Sequence, residues 1–161
     1  MTSGDKIRMA TYSELESLLE SNSRSGIAYY SSNTRSNDGD DLVADTVPPL
    51  NTISVSSAGV VTTPYDGIYR VDVLAQGNNN TSNDSDETRY SFMYSVNGGV
   101  KEELGNCELQ FERITWINDY FPAATFGLIH MSAGDTLVIS TESHEFTSYI
   151  QRHQVIIEYK G

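Results

Sequence analysis

The sequence has 161 residues, which is the length of a single domain, and its 10 Lys and Arg against 22 Asp and Glu give a net charge of −12. Such a surface repels nucleic acid backbones and anionic membranes, so we expect no nucleic acid partner and no membrane insertion. The single cysteine excludes an internal disulfide, and no apolar run reaches the ~18 residues of a membrane-spanning helix. The 10 Tyr and 5 Phe, together with many Val, Ile, Thr and Ser, favour β-structure.

A short amphipathic helix is predicted near the N-terminus. Thr11 and Glu14 match a capping box, in which each side chain bonds a backbone N–H group of the first turn. A helix of about ten residues is not stable alone in water, so its apolar face needs a partner. That partner is the rest of the chain, other copies in an oligomer, or a larger particle. The apolar residues assigned to this anchor helix are Tyr12, Leu15, Leu18 and Leu19.

The polar N-terminus also lacks the apolar core of a secretory signal peptide. We therefore expect the chain to be made and kept in the cytoplasm until it is assembled. We divide it into an attachment segment, residues 1–25, and a β-domain, residues 26–161.

Short strands separated by turns are predicted from residue 26 onward. Residues 26–30 form a first strand, and residues 31–45, rich in Asp, Ser, Asn and Gly, form a solvated loop. A hairpin follows around Ala58-Gly59. The clearest strand comes after Asp66-Gly67, where four residues of one face alternate with polar and apolar residues of the other. The residues of that first face are Tyr69, Val71, Val73 and Ala75.

The second half of the β-domain continues this pattern. Alternation over residues 90–96 ends in Asn97-Gly98-Gly99, a hairpin-type turn. Two further strands are placed within residues 103–111 and 114–117, and Pro122 is expected to separate them from the next strand. The total of eight to ten short strands without fixed repeats predicts an all-β jelly-roll sandwich.

The C-terminal third has a distinctive order of parts. An apolar strand, Leu128–Met131, is followed by the corner Gly134-Asp135, where glycine permits positive φ and aspartate can accept backbone N–H bonds. A second strand, Thr136–Ser140, then leads through a variable loop, residues 141–152, to a last strand, Gln154–Tyr159.

This order, with Gly67-Ile-Tyr69 at the start of an earlier core strand, resembles the jelly-roll superfamily of tumour necrosis factor and the globular head of the first complement component. The resemblance implies a homotrimer that buries aromatic and aliphatic residues around its threefold axis. By position, the interface residues it implies are Phe126, Leu128 and Val155. Three copies carry 3 × −12 = −36 charges, so the acidic loops must point away from the axis.

No constellation of residues indicates catalysis, and we expect no enzyme activity, no catalytic residues and no cofactor. The sequence lacks the spaced His, Cys or Gly motifs of metal, nucleophile and phosphate sites. Cys107 lies in a strand pattern typical of a buried, inert thiol.

Two metal hypotheses stand beside this expectation of no metal site. Residues Asp38, Asp40 and Asp41 share part of a calcium-loop spacing, but the closing Glu is absent, and a solvated loop is the alternative. A zinc site is the other hypothesis, with an exposed polar rim as its alternative. Its four residues are Glu142, His144, Glu145 and His153.

Combining these observations, we expect a non-enzymatic virion protein of a bacteriophage: a capsid decoration, a head fibre or a tail-associated knob. Its N-terminal segment would attach to a capsid or tail protein, and its outer loops would meet a host-surface glycan or protein. The alternative is a free-standing carbohydrate- or ligand-binding module that stacks its ligand on aromatic side chains. The stacking residues of that alternative are Trp116, Tyr120 and Tyr149.

Overall fold

A computed structural model describes residues 24–79, 88–106, 109–111, 119–143 and 148–161. The predicted anchor helix with Tyr12, Leu15, Leu18 and Leu19 therefore lies outside the described residues, as do Trp116 and Cys107. Within these ranges, no helix has both the length and the apolar character that crossing a membrane requires.

Ten strands and one short 3-10 helix form the described part of the chain. Their bounds are β1 Ile27–Ser32, β2 Ser54–Val55, β3 Val61–Thr62, β4 Gly67–Asn79, β5 Thr88–Val96, β6 Glu102–Glu103, the 3-10 helix Leu104–Asn106, β7 Leu109–Phe111, β8 Asp119–Met131, β9 Thr136–Ser143 and β10 Ser148–Tyr159.

The strands form two antiparallel sheets that pack face to face. The first sheet has the order β1-β10-β4-β8, and the second has the order β2-β3-β9-β5-β6, with β7 also paired to β5. Strands that are distant in sequence, such as β1 and β10, are neighbours in space. The predicted all-β jelly-roll sandwich is therefore confirmed.

The core fills the space between the sheets. Strand β4 contributes Tyr69, Val71 and Val73, all fully buried, which are the residues that the alternation placed on one face. From the second sheet, the core residues include Leu137 and Ile139 of β9. Because side chains of a strand alternate between its faces, the residues between these positions in β4 point outward.

Residues 33–46, which we term the bridging loop, close one side of the sandwich. Ser36 exchanges two backbone hydrogen bonds of 2.8 Å with Ile150 of the first sheet. Leu42 donates its backbone N–H to Ile139 of the second sheet, also at 2.8 Å, and its side chain is buried in the core. The predicted loop is therefore confirmed for this segment, and most of its residues are exposed. It is solvated only in part, because two sheets bond its backbone and the Leu42 side chain lies in the core.

Two predicted boundaries also differ from the structure. Pro122 does not separate strands but lies inside β8, opposite Gln76. Strand β8 is the last strand of the first sheet, and an edge strand tolerates proline because part of its N–H groups lacks a neighbour to bond. The predicted loop 141–152 is shorter than expected, since β9 extends to Ser143 and β10 begins at Ser148.

Candidate subunit interface

The outward face of the first sheet carries a group of exposed apolar side chains. Of the eight large hydrophobic residues exposed in the described chain, five belong to this face. They are Ile27, Ile68, Leu74, Phe126 and Leu128. Phe126 and Leu128 are the most exposed of the five, at 57% and 66%. Large exposed apolar surfaces mark sites where a protein meets a partner.

Strand register arranges this face in rows that cross the sheet. The first row joins Ile27, Glu158, Arg70 and Leu128 across β1, β10, β4 and β8. The second row joins Tyr29, Ile156, Asp72 and Phe126 in the same strand order. Residues opposite each other on one face have Cβ atoms about 5 Å apart, so each row is a continuous contact surface.

Ion pairs neutralise the charges within these rows. The Arg70 guanidinium bonds both carboxylate oxygens of Asp72, at 2.7 to 3.1 Å. This hydrogen bonding raises the pKa of Arg70 and keeps the guanidinium charged. The Arg70 guanidinium carbon also lies 4.9 Å from the centroid of the Phe126 ring, which it faces as a cation–π contact. Glu158 is paired with Lys160 at 2.6 Å.

Apolar side chains and neutral ion pairs together form a surface suited to packing against protein. The chain as a whole carries −12 charges, yet Arg70–Asp72 and Lys160–Glu158 contribute no net charge to the centre of this face. A copy of the same chain can therefore approach the face without the repulsion that the rest of the surface would exert.

Comparison with solved structures identifies the architecture. No protein-family model matches the sequence, and no curated protein resembles it in sequence. The structure of Eiger TNF from S. frugiperda superimposes with a TM-score of 0.59 and 12% identity, covering 85% of this chain and 93% of that chain. The globular domain of zebrafish complement 1qA gives a TM-score of 0.56 and 8% identity, covering 84% and 96%. The fold is that of the TNF and C1q jelly rolls.

In this TNF- and C1q-like fold, the residues that we predicted for an interface divide into two groups. Phe126 and Leu128 lie together on the outward face of β8. Val155 lies on the inward face of β10 and is fully buried in the core, so it has no surface to offer a partner. The face also contains Ile27, Ile68 and Leu74, which were not predicted as interface residues. The alternation of β4 could have identified Ile68 and Leu74, because it places them on the face opposite to Tyr69, Val71 and Val73.

Strand register places two aromatic residues of the carbohydrate hypothesis, Tyr149 and Tyr120, in one row across the first sheet, each opposite Asn78 of β4. Trp116 lies outside the described residues, and Tyr120 belongs to β8, with only its backbone described. Tyr149 is half-buried, and the Arg35 guanidinium carbon lies 3.6 Å from the centroid of its ring. One face of the Tyr149 ring is therefore already occupied by a cation.

The metal hypotheses find no support in the described residues. Within the described ranges, no group of three or more His, Cys, Asp or Glu side chains could hold a metal ion. Asp40 accepts bonds from the backbone and side chain of Asn37 within the bridging loop. Of the zinc candidates, His144 and Glu145 lie outside the described residues.

The exposed polar rim, the alternative to a zinc site, is wrong for His153. His153 is 2% exposed, and its ring faces the interior of the sandwich. The residue is thus part of the packing beneath the bridging loop, because β10 begins earlier than predicted and places position 153 on its inward face.

Proposed function

We propose that the chain is a non-enzymatic structural protein that acts as a homotrimer, in which three copies pack through the outward face of the first sheet. The observation that supports this most directly is the exposed apolar surface around Phe126 and Leu128. Burial of apolar surface contributes roughly 25 cal/mol per Å², so covering these side chains favours association. The TNF and C1q fold adds support, since domains of this fold commonly form trimers.

The distribution of charge is compatible with this assembly. A trimer carries −36 charges, and these must lie outside the shared surface. Asp41 of the bridging loop pairs with Ser140 of the second sheet, away from the outward face of the first. The ion pairs Arg70–Asp72 and Lys160–Glu158 then enter the interface as neutral units.

We further propose that the trimer belongs to a virion, as a capsid decoration, a head fibre or a tail-associated knob. In this proposal residues 1–25 attach the trimer to a capsid or tail protein through the predicted anchor helix, and the outer loops face solvent or a host surface. The acidic character of the chain and the amphipathic N-terminal pattern support this role.

Sedimentation of the purified full chain tests the assembly. We expect a species with three times the mass of the 17.8 kDa chain. A well-folded single chain at micromolar concentration would overturn the proposed homotrimer. For the virion role, particles assembled without this chain should bind the full chain and not a variant lacking residues 1–22, as measured by co-sedimentation. If that variant no longer folds, the helix belongs to the β-domain and the anchor role is wrong.

Carbohydrate binding remains the alternative function, and it has a direct test. Because the Arg35 guanidinium covers one face of Tyr149, a sugar must use the other face of the ring or displace Arg35. Binding on a glycan array that disappears in Tyr149→Ala would favour this alternative over a purely structural role.

A further inference from the structure

We propose that neighbouring copies meet through two different patches at opposite edges of the first sheet. One patch is a projecting residue, Leu50, beside β1. The other is a groove beside β8 that is lined by the exposed side chains of Phe126 and Leu128 and by Leu104, whose side chain is buried. Leu50 of each copy occupies the groove of the next copy around the ring. This inference rests on the proposed homotrimer and identifies which surfaces meet within it.

Threefold symmetry requires two unlike patches. A ring of three copies is built from head-to-tail contacts, in which one surface of a subunit meets a different surface of its neighbour. In the first sheet, β1 and β8 are the two edge strands. Patches beside these two strands therefore lie on opposite sides of the subunit, as a closed ring demands.

Hydrogen bonds hold the backbone turn that carries Leu50, whose side chain is 85% exposed. Leu50 follows Pro48-Pro49 in a tight turn, in which the Asn51 N–H donates to the Pro48 carbonyl oxygen at 3.3 Å. The Asn51 side chain then bonds both the N–H and the C=O of Tyr29, at 3.0 and 2.8 Å. An apolar side chain on such a rigid turn loses little conformational entropy when a partner covers it.

The groove beside β8 is also preformed. It has a volume of about 620 Å³, and its lining includes Leu104 and Gly105 of the 3-10 helix and residues 124–129 of β8. The Thr125 hydroxyl donates to the Leu104 carbonyl oxygen at 3.2 Å. A Cβ atom added to Gly127 would lie only 2.6 Å from the Leu104 side chain, which shows how closely the two segments approach. The groove therefore offers an apolar surface of fixed shape.

Both patches lie at the same height along the strands. Asn51 attaches the Leu50 turn to Tyr29, which shares its row with Phe126 across the sheet. Ile27, next to this turn, shares its row with Leu128. In the proposed trimer the threefold axis is parallel to the strands, and rotation about it keeps every residue at the same height. The β1 end of a row in one copy therefore faces the β8 end of the same row in the next copy.

The charges near the two patches are complementary. Glu102 and Glu103 line the groove, and the Tyr94 hydroxyl donates to Glu102 at 2.5 Å. Near the start of β1, the positively charged Arg24 is exposed. Complementary charges of this kind fix the orientation of partners more than they add affinity. A like copy therefore fits the groove by both shape and charge.

Cysteine cross-linking tests the contact. In a Cys107→Ser background, the double variant Leu50→Cys with Leu128→Cys should form covalent dimers and trimers on non-reducing gels. A disulfide within one chain is excluded, because three strand spacings separate the two edges by roughly 14 Å, and bonded cysteines have Cα atoms within about 7 Å. Each single-cysteine variant should remain uncross-linked. Trimers in solution that yield no covalent product from the double variant would overturn the inference.

A charge substitution tests the same contact without cross-linking. Leu50→Asp should raise the dissociation constant of the trimer roughly tenfold or more, because it places a carboxylate in an apolar, acidic groove. Val100→Asp is the matched control, since Val100 is 87% exposed on the hairpin of the second sheet. Equal dissociation constants for the two variants would overturn this inference and leave the homotrimer standing. A wild-type chain that sediments as a monomer would overturn the homotrimer itself.

Discussion

The Nε2 atom of His153 lies 2.8 Å from the carbonyl oxygen of Val43 and ties strand β10 to the bridging loop. Because a carbonyl oxygen only accepts hydrogen bonds, Nε2 carries the hydrogen and the Nδ1 of the neutral ring is an acceptor. Nδ1 is buried and has no hydrogen-bond partner among the described residues. The ring packs edge-on against Tyr30, with centroids 6.2 Å apart.

This burial predicts a loss of stability in mild acid. Desolvation lowers the pKa of His153 below its ordinary value, although the bond to Val43 and the nearby Asp45 carboxylate act in the opposite direction. The unfolded chain therefore binds a proton at higher pH than the folded chain does. The stability due to neutral His153 is fully present above about pH 6.5 and decreases as the pH falls from there toward the folded pKa.

Urea unfolding at pH 7.5 and pH 5.5, at one protein concentration, measures this effect. His153→Gln keeps a donor for Val43 and does not titrate, so the free energy of unfolding of that variant should change less between the two pH values. Equal changes in the wild type and the variant would show that His153 does not set the pH dependence.

Tyr30→Phe is expected to leave stability unchanged or to increase it by up to about 1 kcal/mol. The Tyr30 hydroxyl is buried without a hydrogen-bond partner among the described residues, and burial raises the pKa of this side chain. Removing an unsatisfied buried hydroxyl relieves its desolvation cost and keeps the shape of the ring. The denaturation midpoint measures the change. A loss of more than about 1 kcal/mol would instead indicate a hydrogen bond to bound water.

Gly105→Ala should destabilise the chain far more than Gly134→Ala. Both glycines have positive φ, of 81° and 86°, so both substitutions carry the same backbone cost. A Cβ atom at position 105 would lie 2.3 Å from the Phe126 carbonyl oxygen, whereas nothing lies within 4 Å of one at position 134. We expect a further loss of roughly 1–3 kcal/mol for Gly105→Ala, by analogy with overpacked sites. The thermal unfolding midpoints of the two variants measure this difference in stability. Equal midpoints would contradict the close approach of position 105 to the Phe126 carbonyl oxygen.

Asp72→Asn should weaken the trimer strongly, because it leaves the Arg70 guanidinium unpaired in the proposed interface. When association buries an ion pair, removing one partner opposes association, because the remaining charge loses both water and its partner. Asp41→Asn is the control, since the Asp41–Lys101 pair is exposed, with atoms 3.8 Å apart, and such pairs contribute about 0–1 kcal/mol. Sedimentation equilibrium of both variants measures the difference in self-association. Similar dissociation constants would place Arg70 and Asp72 outside the interface.

The sequence by itself determined the features that depend on short-range patterns. Strict alternation identified the inward face of β4, with Tyr69, Val71 and Val73. The corner at Gly134-Asp135 also follows its prediction: Gly134 has φ of 86°, and Asp135 accepts the Ser132 N–H at 2.7 Å. The same local order of strands and corner indicates the TNF- and C1q-like jelly roll.

Only the tertiary structure decided how distant segments meet. Val155, Ile156 and Ile157 are all apolar, so the pattern of β10 could not tell which face points inward; pairing with β4 buries Val155 and turns Ile156 outward. The sequence could not show that the bridging loop bonds both sheets, because its partners, Ile139 and Ile150, lie about a hundred residues away. The outward face exists only because β1, β10, β4 and β8 align in one sheet. Pairing between strands so far apart in sequence produces no periodic pattern within any one of them, so the sequence did not predict it.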